Sequence, residues 1–291
     1  MHAGLSTFLA VAERQSFSAA ATALGVSRSA VSQAVRALEQ SVGTPLLIRT
    51  TRSVRLTDAG ARLAAAAGPA LRQADDALAA VRDGDRAAGT LRLTVPHIAV
   101  APVMVPALRE LRSRHPALAL EVSVDDRLVD IVADGYDAGI RLGEAIEKYM
   151  VGVRVSQPFR FVVLGSPAYF KRRGKPQHPR DLVDHDCIGW RGPTTGILYR
   201  WEFERRGREL AIQVPSTIIT TDTVLAMSAA ADGLGLCYVD ELTAAPLLAT
   251  GKLTIVLDDY LPRVPGFFLY FPERTRTLPK VRSLIDIMRI R

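Results

Sequence analysis

The sequence predicts an α/β protein headed by an all-α, winged helix-turn-helix unit. Three observations predict it. Two short helical patterns flank a glycine turn ahead of residue 43, a long alanine-rich helical stretch follows, and from Leu91 onward β-like and helix-like segments alternate. A chain of 291 residues divides into two or three cores. Apolar residues at 48% and charged residues at 23% exclude a disordered chain, and 21 Gly and 17 Pro without a period exclude a fibrous one. No apolar run approaches the ~20 residues of a membrane-spanning helix, and no signal peptide is read at the N-terminus. Two cysteines, Cys187 and Cys237, exclude a disulfide scaffold, so a reduced cytoplasm is the expected compartment.

In the first block, Leu5, Phe8, Leu9 and Ala12 recur at helical spacing, and Phe17, Ala20, Ala21 and Leu24 do so again. Ser16 or Ser18 caps the second pattern and Gly25 stops it. Ser27 caps a third helix running to about Val42, with Val31, Ala34, Val35, Leu38 and Val42 on one stripe. The opposite stripe carries Arg28, Ser29, Ser32, Gln33, Arg36 and Gln40. Two helices joined by a short glycine turn make a helix-turn-helix. Short hydroxyls, an amide and arginines are the side chains that read base edges or hold phosphates. A merely solvated helix face normally mixes Glu and Lys, and here Glu39 is the one nearby acid. Up to Arg62 the chain holds seven arginines against Glu13, Glu39 and Asp58, within a net charge of +7 overall. That basic bias favours a polyanionic partner. Residues 45–56 read as a two-stranded wing, with Ile48, Val54 and Leu56 facing the core and Arg49 and Arg52 near the tip, in reach of backbone phosphate.

Thr57 and Asp58 open a helix extending to about Arg86. Leu63, Ala67, Ala70, Ala74, Ala77 and Val81 follow coiled-coil spacing, flanked by Leu71 and Leu78. A long helix with a thin apolar seam wants a partner, most simply a second copy, which would set two recognition helices on one DNA. Packing against its own chain is the plainer alternative, and Pro69 should kink the rod. Glycines and charges at 83–89 read as a hinge.

The third block begins with a strand at 91–95, a helix from about Ala101 to Arg114 and a second strand at 118–124. A short helix around Leu128, Ile131 and Val132 ends at Gly135, a strand covers 138–142, and a final helix runs from Pro279 to about Arg289. The alternation implies largely parallel pairing. About 200 residues suffice for two lobes, with a small-molecule cleft at the C-terminal strand ends.

The run from Phe17 to Glu39 (FSAAATALGVSRSAVSQAVRALE) resembles the DNA-binding signature of LysR-type transcriptional regulators, as do Gly43 to Arg52 (GTPLLIRTTR) and Leu56 to Gly60 (LTDAG). The remainder is similar to that family's effector domain, through GYDAGIRLG from Gly135, GSPAY from Gly165 and GLGL from Gly233. The resemblance implies a winged helix-turn-helix over residues 1–57 and a dimerising linker helix and hinge over 58–89. It further implies a two-lobed α/β effector domain over 90–291, similar to type 2 periplasmic binding proteins, with lobe I at 91–162 plus 268–291 and lobe II at 163–267. It implies DNA contacts from Ser27, Arg28, Ser29, Ser32, Gln33, Arg36, Arg49, Thr50 and Arg52, and double-stranded promoter DNA as partner. Self-association as a dimer of dimers and contact with RNA polymerase are also implied. Effector contacts are expected from Pro96, His97, Ile98 and Ala99, with Arg141 and Gly143 edging the cleft and Trp190, Tyr199, Trp201, Thr221 and Asp222 across it. Many members carry Ser or Thr where this chain has Ile98-Ala99-Val100. That departure favours an aromatic or largely apolar acid, its carboxylate near His97, and no other cofactor. Asp240 stands where the family usually has proline.

Two other readings compete. An enzyme could be sought in the crowd of His178, Asp181, Asp184, His185, Asp186 and Cys187, but none of these shows a recognised metal spacing, and no nucleophile elbow or phosphate loop is present. A non-enzyme is expected. Cys187 and Cys237 read as small buried apolar residues rather than a redox pair. A free-standing solute-binding protein is disfavoured by the helix-turn-helix.

Overall fold

The computed structural model describes residues 2–49, 53–84, 86–143 and 150–290. The head contains α1 (His2–Arg14), α2 (Phe17–Leu24), α3 (Arg28–Val42), and a hairpin of β1 (Leu47–Arg49) and β2 (Val54–Leu56). Ser16 Oγ accepts the Ala19 amide at the start of α2, and Gly25 ends that helix at φ 65°, a conformation glycine adopts without a Cβ penalty. Ser27 caps α3 by accepting the Ala30 amide. Phe8, Val11, Phe17, Ala20, Val31, Val35, Leu38, Leu46 and Leu47 form the buried centre. In the wing, Leu47 pairs with Leu56 and Arg49 with Val54. Leu47 is therefore the buried strand residue and Ile48 is 52% exposed, a correction to the expected inward Ile48. Leu46, Leu47 and Ile48 are all apolar, so alternation alone could not set which points inward.

The linker helix α4 (Asp58–Asp83) begins at Thr57, whose hydroxyl accepts the Gly60 amide. It continues through Pro69. Leu63 and Ala64 pack on the head, and Gly68 is buried beside Leu9. Ala70, Ala74 and Leu78 remain exposed. The seam thus divides, its first half spent on its own chain.

The first sheet of the C-terminal region comprises β3 (Gly89–Val95), β4 (Leu118–Val124), β5 (Ala138–Leu142), β6 (Met150–Arg154) and, much later, β15 (Phe267–Pro272). Its order is β4-β3-β5-β15-β6. Between β3 and β4 run α5 (His97–Ala99), a π turn (Val100–Met104) and α6 (Val105–Arg114). The Val105 amide reaches back five residues to the Val100 carbonyl, across Pro102, which has no amide to donate. The helix thus starts four residues before the expected Ala101. The His97 amide donates to Asp126 Oδ1 (2.8 Å), a cap supplied from beyond β4. The short helix expected before Gly135 is instead an irregular segment closing in one turn at 131–135, its amides gathered by the Asp130 carboxylate.

The second sheet has the order β11-β8-β12-β7-β13, with β14 also paired to β7. Its strands are β7 (Phe159–Gly165), β8 (Cys187–Trp190), β11 (Ser216–Thr220), β12 (Leu236–Asp240), β13 (Thr254–Val256) and β14 (Arg263–Val264). A separate hairpin, β9 (Trp201–Arg205) with β10 (Arg208–Ile212), covers one side. Helices α7 (Pro167–Arg173), α8 (Thr223–Ala231) and α9 (Glu241–Ala249) belong to this lobe, and α10 (Pro279–Met288) returns to the first, packing on α6 and β3.

Pairing is mixed rather than largely parallel. In the first sheet β3 is parallel to β4 and β5, whereas β15 is antiparallel to β5 and β6. In the second, β7 is antiparallel to β12, β13 and β14. The lobe boundary expected at 162/163 cuts through β7. That strand bonds wholly to the second sheet, so the chain crosses at 155–158 and returns at 265–266. The two crossings clamp one another. Ser156 Oγ accepts the Phe267 amide (2.7 Å), the Phe267 carbonyl accepts the Val155 amide (2.9 Å), and a Cβ at Gly266 (φ 95°) would collide with Ser156.

Candidate nucleic-acid interface and effector cleft

In the head, burial of Val31, Val35 and Leu38 turns the other side of α3 outward. Arg28, Ser29, Gln33 and Arg36 are exposed there, Ser32 is half-buried, and Ser27 sits exposed at the helix start, its hydroxyl 2.8 Å from that of Ser29. Arg49 lies elsewhere than expected. Arg49 lies on the same strand face as Leu47 but stays exposed, and its guanidinium stacks on the Phe17 ring (4.4 Å), donates to Ser32 Oγ (3.2 Å) and pairs with Glu39 (3.5 Å). It ties the wing to α3 instead of reaching out from the tip. Thr50 and Arg52 lie outside the described residues. Glu39 is the residue that sequence reasoning missed. Its Oε1 accepts the Leu46 and Leu47 amides (2.9 and 3.1 Å), pinning the root of the wing to α3. Its isolation as the only acid on α3 was the available signal.

In the C-terminal region, the expected effector residues form two groups. On lobe I, Pro96 is buried, and His97 is exposed with its ring Nδ1 3.0 Å from Asp126 Oδ2. Ile98 is half-buried, while Ala99 is fully buried in the core of lobe I with Leu91, Leu93 and Met104, not on an open wall. Arg141 is 4% exposed at the end of β5. Its guanidinium donates to the Ile140 carbonyl (2.7 Å), Thr94 Oγ1 (3.2 Å) and the Arg127 carbonyl (2.9 Å), and among the described residues its Nε–H has no acceptor. Among the described residues no carboxylate forms an ion pair with it, although the electrostatic influence of Arg141 reaches Asp125. Asp125 itself is held below the usual carboxylate range, chiefly by its hydrogen bond to Arg127. Gly143 is kept small by the Phe268 ring, which a Cβ would strike.

On lobe II, Trp190 and Tyr199 meet edge to face at 6.0 Å, and the Trp190 indole donates to the Thr221 carbonyl (3.3 Å). Asp222 caps α8 by accepting the Leu225 amide. Trp201, by contrast, is buried in the lobe and stacked on Tyr238, so it supports the aromatic wall from behind. Between the lobes, the Leu128 amide of lobe I donates to Thr194 Oγ1 of lobe II (2.8 Å).

The acid and histidine cluster at 178–187 is accounted for locally. His178 and Asp181 form a reciprocal cap on a short 3-10 turn, and backbone donors hold Asp181 below the ordinary carboxylate range. The His185 ring meets the Tyr169 hydroxyl (3.1 Å), and burial lowers its proton affinity. Among the described residues no group of three ligating side chains could hold a metal ion. Burial pushes both thiols, Cys187 and Cys237, up to about 12, so neither is poised as a nucleophile. No helix among the described residues is long and apolar enough to cross a membrane.

Comparison with known proteins accounts for both halves. Residues 3–61 match the model of the bacterial regulatory helix-turn-helix proteins of the lysR family, and residues 84–291 match that of the LysR substrate binding domain. A putative transcriptional regulator of Pseudomonas aeruginosa is 38% identical over 288 residues, covering 98% of this chain and 94% of the relative. The HTH-type transcriptional regulator PgrR of Escherichia coli is 37% identical over 285 residues, covering 98% and 95%. In fold, the full-length virulence activator AphB of Vibrio cholerae superposes with a TM-score of 0.63 at 21% identity, covering 99% of this chain and 98% of that one. Full-length LysG of Corynebacterium glutamicum, solved with bound effector Arg, gives 0.58 at 22% identity, covering 98% and 96%. The chain therefore belongs to the LysR family of transcriptional regulators, with a helix-turn-helix DNA-binding domain at its N-terminus and an effector-binding domain behind it.

Proposed function

We propose that this regulator reads promoter DNA through the exposed face of α3, with Gln33 and Arg36 on base edges and Ser27, Arg28 and Ser29 on phosphates. Ser32 and Arg49 hold the wing against that helix, and Arg52 with Thr50 serves the wing tip. The observation that carries the reading is the polarity of α3, with buried Val31, Val35 and Leu38 on one side and a serine, glutamine and arginine rim on the other. Two copies joined through the exposed half of α4 at Ala70, Ala74 and Leu78 would place two such rims on one duplex, and pairing of those dimers gives a tetramer. Its action is transcriptional, in the cytoplasm, in contact with RNA polymerase and without catalysis.

The effector in this reading is an aromatic or largely apolar acid, and no other cofactor is needed. Its anionic group meets Arg141 rather than His97, because the His97 ring is engaged by Asp126 while Arg141 is a buried cation whose Nε–H has no acceptor among the described residues. Trp190 and Tyr199 supply the apolar wall.

Fluorescence anisotropy of the full-length protein on the intergenic DNA beside its own gene tests the DNA assignment. Each of Gln33→Ala and Arg36→Ala is expected to weaken specific binding by about 1–3 kcal/mol while leaving random-sequence binding much less affected. Unchanged specific affinity in both variants would refute the recognition-helix assignment.

A further inference from the structure

A cavity of about 380 Å³ lies away from the cleft, where the linker helix leans on lobe I. Its wall is built from α4, the first residues of β3, the turn at 131–137 and the segment leading into α10. Four cations line it, Arg72, Arg92, Arg274 and Lys280, against two carboxylates, Asp75 and Asp137. Two of the cations are already neutralised. Lys280 pairs with Asp137 at 2.9 Å in a buried bridge, and Arg92 pairs with Glu121 at 2.9 Å and with Glu13 of α1 at 3.4 Å. Arg72 and Arg274 form no ion pair among the described residues, and Asp75 is exposed.

Arg72 is not a solvated surface arginine. Its guanidinium rests on Gly135, where φ is +75° and a Cβ would overlap it. Burial first, and then the neighbouring Arg92, disfavour its charge, while Glu13, Asp137 and Glu121 act more weakly in its favour. A half-buried guanidinium beside other cations in one cavity wall is an arrangement that a bound anion relieves, since it adds direct counter-charge where water is partly excluded. The planar forks of two arginines suit an oxyanion with several acceptor oxygens.

We propose that this cavity is a second regulatory site, distinct from the cleft, that binds a small multivalent oxyanion, a phosphorylated or polycarboxylate metabolite, between Arg72 of the linker helix and Arg274 of lobe I. An occupant would clasp the linker helix to the effector domain beside the Glu13–Arg92 contact, the point at which α1 of the head touches lobe I.

Isothermal titration of the full-length protein with pyrophosphate and with citrate, at ionic strength held constant with sodium chloride, tests it. Saturable binding of at least one probe is expected, weakened about tenfold or more in Arg72→Gln and in Arg274→Gln, and lost in the double variant. The probe that binds distinguishes phosphate from carboxylate chemistry. Absence of saturable binding by both probes, or equal affinity in the double variant, overturns the proposal. Should Arg72→Gln fail to fold, Arg274→Gln on its exposed segment carries the test alone.

Discussion

Asp240 is fully buried, and only one of its carboxylate oxygens is used. Oδ1 accepts the Thr243 amide at 2.8 Å to cap α9, while Oδ2 has no partner among the described residues. Burial pushes its proton affinity above the usual carboxylate range. The folded chain therefore holds this proton to a higher pH than the unfolded chain does. Stability is greatest below the unfolded value near ~4 and falls as pH rises through the folded one. Asp240→Asn keeps the capping oxygen and removes the buried charge. The variant is expected to melt a few degrees above the parent at pH 8, roughly 2–4 °C, with the gap closing toward pH 4. Calorimetry at both pH values checks this, and a gap independent of pH would contradict it. Nothing local in the sequence marks Asp240 as buried, but its place after the glycine pair that precedes β12, where the resembled family usually carries proline, singled it out.

At the scale of elements, the wing shows how one side chain sets a geometry. Glu39 gathers the Leu46 and Leu47 amides and the Arg49 guanidinium, which also lies over the Phe17 ring and donates to Ser32. Glu39→Ala leaves two amides without that acceptor, and a loss of about 1–3 kcal/mol of stability in the head is expected. Urea unfolding followed by helix circular dichroism, together with operator affinity, measures it; an unaltered head stability would mean that water replaces the carboxylate. The helices of the head were legible from spacing, and α2 and α3 also from caps, because the start and stop of α2 and the start of α3 are carried by local residues, Ser16, Gly25 and Ser27. The start of α5 and the turn at 131–135 were not. The first depends on Asp126, a contact from well along the chain, and the second on Asp130, whose carboxylate gathers the Val132 and Ala133 amides in a local turn that helix periodicity does not encode.

Across the whole molecule, residues 125–137 join three functions. They hold the cap of α5, supply the Arg127 carbonyl to Arg141, and pass with Gly135 beneath Arg72 of the linker helix. The same segment crosses the cleft through Leu128 and Thr194. Residues 125–137 therefore touch lobe II at Thr194 and the linker helix at Arg72. Thr194→Val removes the cross-cleft acceptor. Exchange of the Leu128 amide, followed by hydrogen–deuterium mass spectrometry on the unliganded protein, is expected to quicken about tenfold or more. An unchanged rate would show that the lobes are held together elsewhere.

Sequence alone determined the helix-turn-helix, its exposed polar rim, the long linker helix and the α/β character of the rest, because each is written in short-range spacing and in residues that cap or stop their own helix. The tertiary structure decided the facing of Ile48 and Arg49, the membership of β7, the burial of Ala99 and Trp201 and the cationic junction around Arg72. Those depend on which distant segment supplies a carboxylate, an amide or a strand edge, and a one-residue change of facing or a contact across a hundred residues leaves no trace in local pattern.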